Sequence, residues 1–214
     1  TDSNGSKTFS SSNTSSATIN SSSGSVVIVA VGNATMSVNL AETNEYTSAN
    51  DSYTLTTNPK TLTATASSLD KVYDGLTTAT TTLTLSGLVG SETLGQTVGS
   101  TFSDKNVGTS KTVTVNSITL ADGANGGLAS NYTISSGQTT TADITAKALT
   151  VSGITASDKT YDGNAVATLN TSSILYSGLI NGDTFSGTYT GAFNNANAGT
   201  GKTVTITPTY SGAD

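Results

Sequence analysis

Apolar and polar positions alternate with a period of two along much of the chain. Leu62, Ala64 and Ala66 alternate with Thr61, Thr63 and Thr65, Leu83 and Leu85 with Thr82 and Thr84, and Val113 and Val115 with Thr112 and Thr114. Successive side chains of a strand point to opposite faces, so each run predicts a strand with Leu, Ala or Val inward and Thr hydroxyls outward. Threonine suits this role because its branched Cβ fits a pleated surface. The longest apolar run, Val26 to Val31, is of strand length and far short of a membrane span. No stretch of 12 or more residues keeps a helical period.

Turn signals punctuate these runs at Asp74-Gly75, Val89-Gly90, Asp122-Gly123, Asn125-Gly126 and Asn181-Gly182. The expected fold is all-β, built of small sandwich-like modules in an elongated array, with about seven short strands per module.

The chain repeats itself. Lys71-Val72-Tyr73-Asp74-Gly75 matches Lys159-Thr160-Tyr161-Asp162-Gly163 at a shift of 88. Lys60-Thr61-Leu62-Thr63 matches Lys147-Ala148-Leu149-Thr150, and Ser86-Gly87-Leu88 matches Ser177-Gly178-Leu179. Lys111-Thr112-Val113-Thr114-Val115 matches Lys202-Thr203-Val204-Thr205-Ile206. The order is conserved between copies, and four matches in register are hard to produce by chance. Weaker matches link Thr8-Phe9-Ser10 to Thr101-Phe102-Ser103, and Ser52-Tyr53-Thr54-Leu55 to Asn131-Tyr132-Thr133-Ile134. The phase that follows makes 1-59 the closing part of one module, 60-147 a complete module, and 148-214 the opening of another. A unit of about 88 residues exceeds the roughly 20 to 30 residues of β-solenoid coils and fits a small independent β-domain.

The repeated pentapeptide reads first as structure. Asp-Gly favours a hairpin turn, because glycine tolerates positive φ and the Asp side chain bonds nearby backbone. Tyr73 and Tyr161 are expected to anchor their turns through ring and hydroxyl, and each preceding Lys to pair with a carboxylate. The structural motif residues are therefore Tyr73, Asp74, Gly75, Tyr161, Asp162 and Gly163.

Set in a Thr- and Gly-rich repeat, the motif resembles the YDG-type repeat domains of filamentous-haemagglutinin-like bacterial adhesins. The resemblance extends over nearly the whole chain. It implies a secreted or cell-surface location, a stalk or adhesive role in cell adhesion or biofilm cohesion, and no catalysis. It names no ligand and carries no set of functional residues.

Composition narrows the chemistry. The chain has no His, Cys or Trp, and all eight of its basic residues are Lys. Disulfides, thiolate metal sites and histidine general bases are thereby excluded. A net charge of -6 opposes nucleic-acid binding, which calls for a basic surface. No segment is apolar enough for membrane insertion as a helix, and the polar start reads as part of a longer exported protein. Hydroxyl nucleophiles lack a partner base, so no enzyme is expected and no catalytic or cofactor-binding residue is assigned.

Asp122-Gly123-Ala124-Asn125-Gly126 and Asn181-Gly182-Asp183 carry oxygen ligands of the kind calcium takes. Neither has full loop spacing and turn chemistry accounts for both, so no metal or cofactor is assigned, calcium being the one ion these residues would suit. Glycan binding is the alternative to a purely structural role, with Tyr46, Tyr53, Tyr132, Tyr176, Tyr189 and Tyr210 as candidate platforms. The expected partners are neighbouring repeat modules, a host receptor or an exopolysaccharide, and head-to-tail copies of the chain itself.

Overall fold

A computed structural model of the chain describes residues 5–180 and 182–213. The fold is all-β, and among the described residues the one helical element is a single 3-10 turn at Ala129–Asn131. The strands form several small sheets rather than one large one. The most extensive has five strands in the order Lys71–Val72, Thr139–Thr145, Gly108–Asp122, Leu94–Phe102, Thr78–Ala79.

The period-two reading holds in each complete-module run. Leu62, Leu83, Val113 and Val115 are buried, and the threonines between them face outward or are half-buried. Strand Thr63–Ser68 alternates exposed and half-buried along its whole length, with Ala64 and Ala66 on the inner face. The inner residues are small, so the core is thin: Met36, Ile144, Val113 and Val115 are the largest fully buried side chains. Each such side chain contributes about 1.5–3 kcal/mol through burial, and the ladder hydrogen bonds carry much of the remaining order.

The chain divides into two compact units. The first comprises Thr1–Ser67, Thr81–Ser100 and Thr114–Thr139. In it, Lys7–Ser11, Gly32–Leu40 and Ala49–Thr57 make an antiparallel sheet, with Phe9 opposite Val38 and Met36 opposite Tyr53. Its inner face holds Ala34 and Met36, closed by Ala17 and the half-buried Ile19 and Leu55. The apolar run at Val26 does form a strand, Val26–Ile28, which pairs with Ala17–Ile19 in a two-stranded sheet. It does not enter the core: Val27, Ile28 and Val29 are each more than half exposed. Tyr132–Thr133 pairs in parallel with Lys60–Thr61, and Asn131 accepts a hydrogen bond from the Val31 amide at 2.9 Å.

The second unit comprises Ser68–Thr80, Thr101–Val113 and Thr140–Asp214. Its core gathers Tyr73, Phe102, Val113, Ala142 and Ile144, with Ala79 and Ile180 packed against it. Thr184–Phe193 and Val204–Ala213 form a long antiparallel ladder, Phe193 opposite Val204, with Val166–Ala167 on its other side.

One turn expectation is revised. Asp74-Gly75 is not a hairpin turn. It joins Lys71–Val72 to Thr78–Ala79, which lie at opposite edges of the five-stranded sheet. Asn125-Gly126 does form a tight turn, both residues at positive φ and Gly127 donating to the Ala124 carbonyl at 3.2 Å. Asn181 lies outside the described residues.

Candidate functional site

The Lys-x-Tyr-Asp-Gly motif folds into the same small clasp twice. In the first copy, the Lys71 ammonium donates to Asp74 Oδ1 at 2.7 Å, to the Leu76 carbonyl at 2.6 Å and to the Thr78 carbonyl at 3.0 Å. An ammonium has three donors, so this site satisfies all of them. Asp74 Oδ1 also accepts the Leu76 amide at 2.9 Å, closing a turn over Gly75, whose φ is 76°. That left-handed backbone is what glycine supplies at little steric cost. The Lys71 ammonium lies 5.5 Å from the centre of the Phe102 ring, a cation–π distance.

In the second copy, Lys159 pairs with Asp162 Oδ1 at 2.7 Å and donates to the Asn164 carbonyl at 2.9 Å and to Asn164 Oδ1 at 2.8 Å. Asp162 accepts the Asn164 amide at 3.1 Å, Gly163 has φ 78°, and Lys159 lies 5.8 Å from the Phe193 ring centre. Hydrogen bonding to lysine holds the Asp74 and Asp162 carboxyls below the usual carboxylate range, with backbone amides second.

A second lysine is held alike beside each clasp. Lys111 pairs with Asp104, which also accepts the Asn106 amide at 2.8 Å. Lys202 donates to Asn195 Oδ1 at 2.6 Å, and Asn195 accepts the Asn197 amide at 3.0 Å. An Asn replaces an Asp, and the loop geometry survives. The framing backbone bonds recur as well: Phe102 N to the Thr77 carbonyl and Phe193 N to the Ala165 carbonyl, both at 2.7 Å.

The two tyrosines part company. Tyr73 places its ring in the core and donates its hydroxyl hydrogen to Asp183 Oδ1 at 3.0 Å. Desolvation raises its hydroxyl pKa, and the bond to Asp183 adds to the rise. Tyr161 does not anchor anything, being 67% exposed. Of the other tyrosines proposed as glycan platforms, Tyr132 is buried and bonds Glu92 through its hydroxyl, which removes it from that set. Its pKa is raised by that bond first and by desolvation second.

The acidic turns serve the backbone. Asp122 Oδ1 accepts the Ala129 amide at 2.7 Å, and Asn125 donates to the Ser91 carbonyl at 2.9 Å. Among the described residues no group of three or more acidic side chains converges on a point that would hold a metal ion. The Phe beneath each clasp lysine, the Asp104 and Asn195 loops and the carboxylate on Tyr73 were not picked out from the sequence. The phenylalanines had a signal: Phe102 and Phe193 recur in the same repeat register as Lys111 and Lys202.

A family model described as the YDG domain matches residues 57–142 and again 145–214. The chain belongs to the YDG domain family, in two tandem copies. No curated protein matches it. Among solved structures, domains 4-9 of the surface layer protein SbsC align with 94% of this chain and 34% of that one, at 16% identity and a TM-score of 0.22. This chain thus spans about a third of that one's length, and a likeness of that degree decides neither fold nor function.

Proposed function

We propose that these tandem YDG domains form a structural stalk or adhesive repeat of a secreted or cell-surface bacterial protein, serving cell adhesion or biofilm cohesion, and that the chain is not an enzyme. The observation that carries this reading is the duplicated clasp. Its charged side chains are consumed by the clasp's own backbone and carboxylate, which is what a fold determinant does and a ligand site does not. Neighbouring repeats are the first partners of such a segment. The reading is tested by antibody raised against the chain: intact producer cells should label as strongly as permeabilised ones, and labelling confined to permeabilised cells would overturn a surface role.

One observation favours a glycan-binding module as the second reading. Tyr176, Phe185, Tyr210 and Tyr189 form a run of rings, with centroid distances of 5.0, 5.2 and 6.2 Å between successive members. Tyr210 is 51% exposed, and an adjoining hollow of about 680 Å³ is lined by Tyr176, Tyr189 and Leu169. Flat rings at a surface are what sugar faces stack on. Binding on a glycan array or to the producer's exopolysaccharide, lost on Tyr210→Ala, would favour this module over a spacer; a blank array would favour the spacer.

A further inference from the structure

We infer that the Tyr-Asp-Gly motif of one copy is a socket for a turn of the copy that follows it. The segment it accepts is an aliphatic residue with an acid three positions later, here Ile180 and Asp183. This gives the neighbouring-repeat partner of the proposed function its surface, and it stands or falls on this chain alone, wherever the protein resides.

The first copy builds the socket. Lys71 and Asp74 close the clasp over Gly75, at φ 76°, and Tyr73 lies in the core with Phe102, Val113 and Ile144. The plug comes from the second copy, whose family match runs from 145 to 214. Ile180 packs against that same core. Its Cγ2 lies only 2.9 Å from where a Cβ on Gly75 would stand. Gly75 therefore meets two demands, the left-handed backbone of the clasp and room for the Ile180 side chain. Three residues on, Asp183 Oδ1 accepts the Tyr73 hydroxyl at 3.0 Å. Lys105 of the first copy stands by the same hydroxyl. The plug's carboxylate thus arrives beside a positive charge as well as a donor, which is why an acid suits this position.

The plug is shaped to present both groups together. The Asp183 amide donates to the Ile180 carbonyl at 3.0 Å, closing a tight turn, and Gly182 supplies a positive φ of 99° at its third position. Ile180 and Asp183 therefore reach the socket side by side. The first copy carries the same kind of turn: the Glu92 amide donates to the Val89 carbonyl at 3.0 Å, again an aliphatic residue three before an acid. Each copy thus holds a plug as well as a Tyr-Asp-Gly clasp. Beside the seated plug lies a hollow of about 350 Å³, with Val107 of the first copy facing Leu149, Leu179 and Phe185 of the second. The apolar surfaces do not close on each other there, which leaves Ile180 and Asp183 to hold the joint.

The linker between the copies offers the readout. Ala146-Lys147-Ala148 is exposed and irregular, joining strands Thr139–Thr145 and Thr150–Ser152. A seated plug holds both ends of this linker in place, and a protease needs it free to adapt. The test is limited trypsin digestion of the whole chain. Cleavage after Lys147 is followed by mass spectrometry against cleavage after Lys71 and Lys111, which belong to the clasp itself. Proteolysis tracks the open population, so Asp183→Ala and Ile180→Ser should each speed cleavage after Lys147 by about three- to tenfold. Rates after Lys71 and Lys111 should stay at the wild-type level. Asp183→Asn keeps an acceptor for Tyr73 and should digest close to wild type. An unchanged rate after Lys147 in both Asp183→Ala and Ile180→Ser, a parallel rise at all three lysines, or Asp183→Asn digesting as fast as Asp183→Ala would each overturn the proposal.

Discussion

Tyr73 donates its hydroxyl hydrogen to Asp183, 110 residues further along the chain, at 3.0 Å. The donor belongs to the first YDG copy and the acceptor to the second. The ring of Tyr73 is buried among Phe102, Val113 and Ile144, and its hydroxyl reaches Asp183 from the edge of that cluster. Tyr73→Phe should keep the packing and leave Asp183 without this donor, lowering the melting temperature by about 2–4 °C. Tyr161→Phe is the matched control and should leave the melt unchanged, because that ring is exposed. Combining Tyr73→Phe with Asp183→Ala should cost less than the two separate losses summed. Full additivity in a calorimetric double-mutant cycle would show that the bond does not contribute.

The clasp glycines separate two kinds of constraint. Gly75 and Gly163 have nearly the same φ, 76° and 78°, so any side chain at either pays about 1–2 kcal/mol for left-handed backbone. A Cβ on Gly75 would also meet Ile180 Cγ2 at 2.9 Å, while one on Gly163 would enter open space. Gly75→Ala should therefore destabilise more than Gly163→Ala, and Gly163→Asn less than Gly163→Ala, since Asn tolerates this region. Urea titrations of the three variants give the order directly. Equal midpoints for the two alanine variants would contradict the Ile180 contact.

How far the sequence carried depended on the distance between partners. Leu62, Leu83 and Val113 were legible as core from alternation alone, because a strand sorts its own side chains. The pairing of Lys71 with Asp74 was legible for a similar reason: the partners lie three residues apart and the motif recurs. Asp183 was not legible as the partner of Tyr73, since nothing local marks a carboxylate whose role depends on a neighbouring copy. Val26–Ile28 misled in the opposite sense. Its composition is that of a buried strand, yet it pairs with Ala17–Ile19 in a two-stranded ribbon and its side chains are exposed. The contrast between Tyr73 and Tyr161 shows the limit: the same Tyr-Asp-Gly is buried in one copy and exposed in the other, and the local sequence does not distinguish them.

That exposed strand yields a prediction of its own. Val27, Ile28 and Val29 are 60, 58 and 52% exposed, forming an apolar strip on a two-stranded ribbon. Such strips bind hydrophobic dyes and seed association. Val27→Lys with Ile28→Lys should leave the melting temperature within about 1–2 °C, since surface substitutions seldom exceed ~0.5 kcal/mol each. Fluorescence of a bound naphthalene-sulfonate dye and light scattering at high concentration should both fall. A large drop in stability would mean that the strip is covered in solution.

Acid should loosen the clasps. The carboxyls of Asp74, Asp104 and Asp162 are all held below their ordinary value of 3.8, in each case chiefly by a hydrogen bond from lysine. A carboxyl whose folded pKa lies below its unfolded one stabilises the fold above the unfolded value, and loses that contribution as pH falls through the folded value. Melting temperature should accordingly hold steady from neutral pH down to about 5 and decline below about 4, where these groups begin to take up protons. Part of the effect is screened by solvent, since the Asp side chains are about half exposed, so the slope per site will be shallow. Asp74→Asn with Asp162→Asn should lower stability at pH 7 and flatten the decline, the variant and wild-type curves converging near pH 2. If the two curves stayed parallel from pH 7 to 2, the acid sensitivity would have to come from carboxyls outside the clasps.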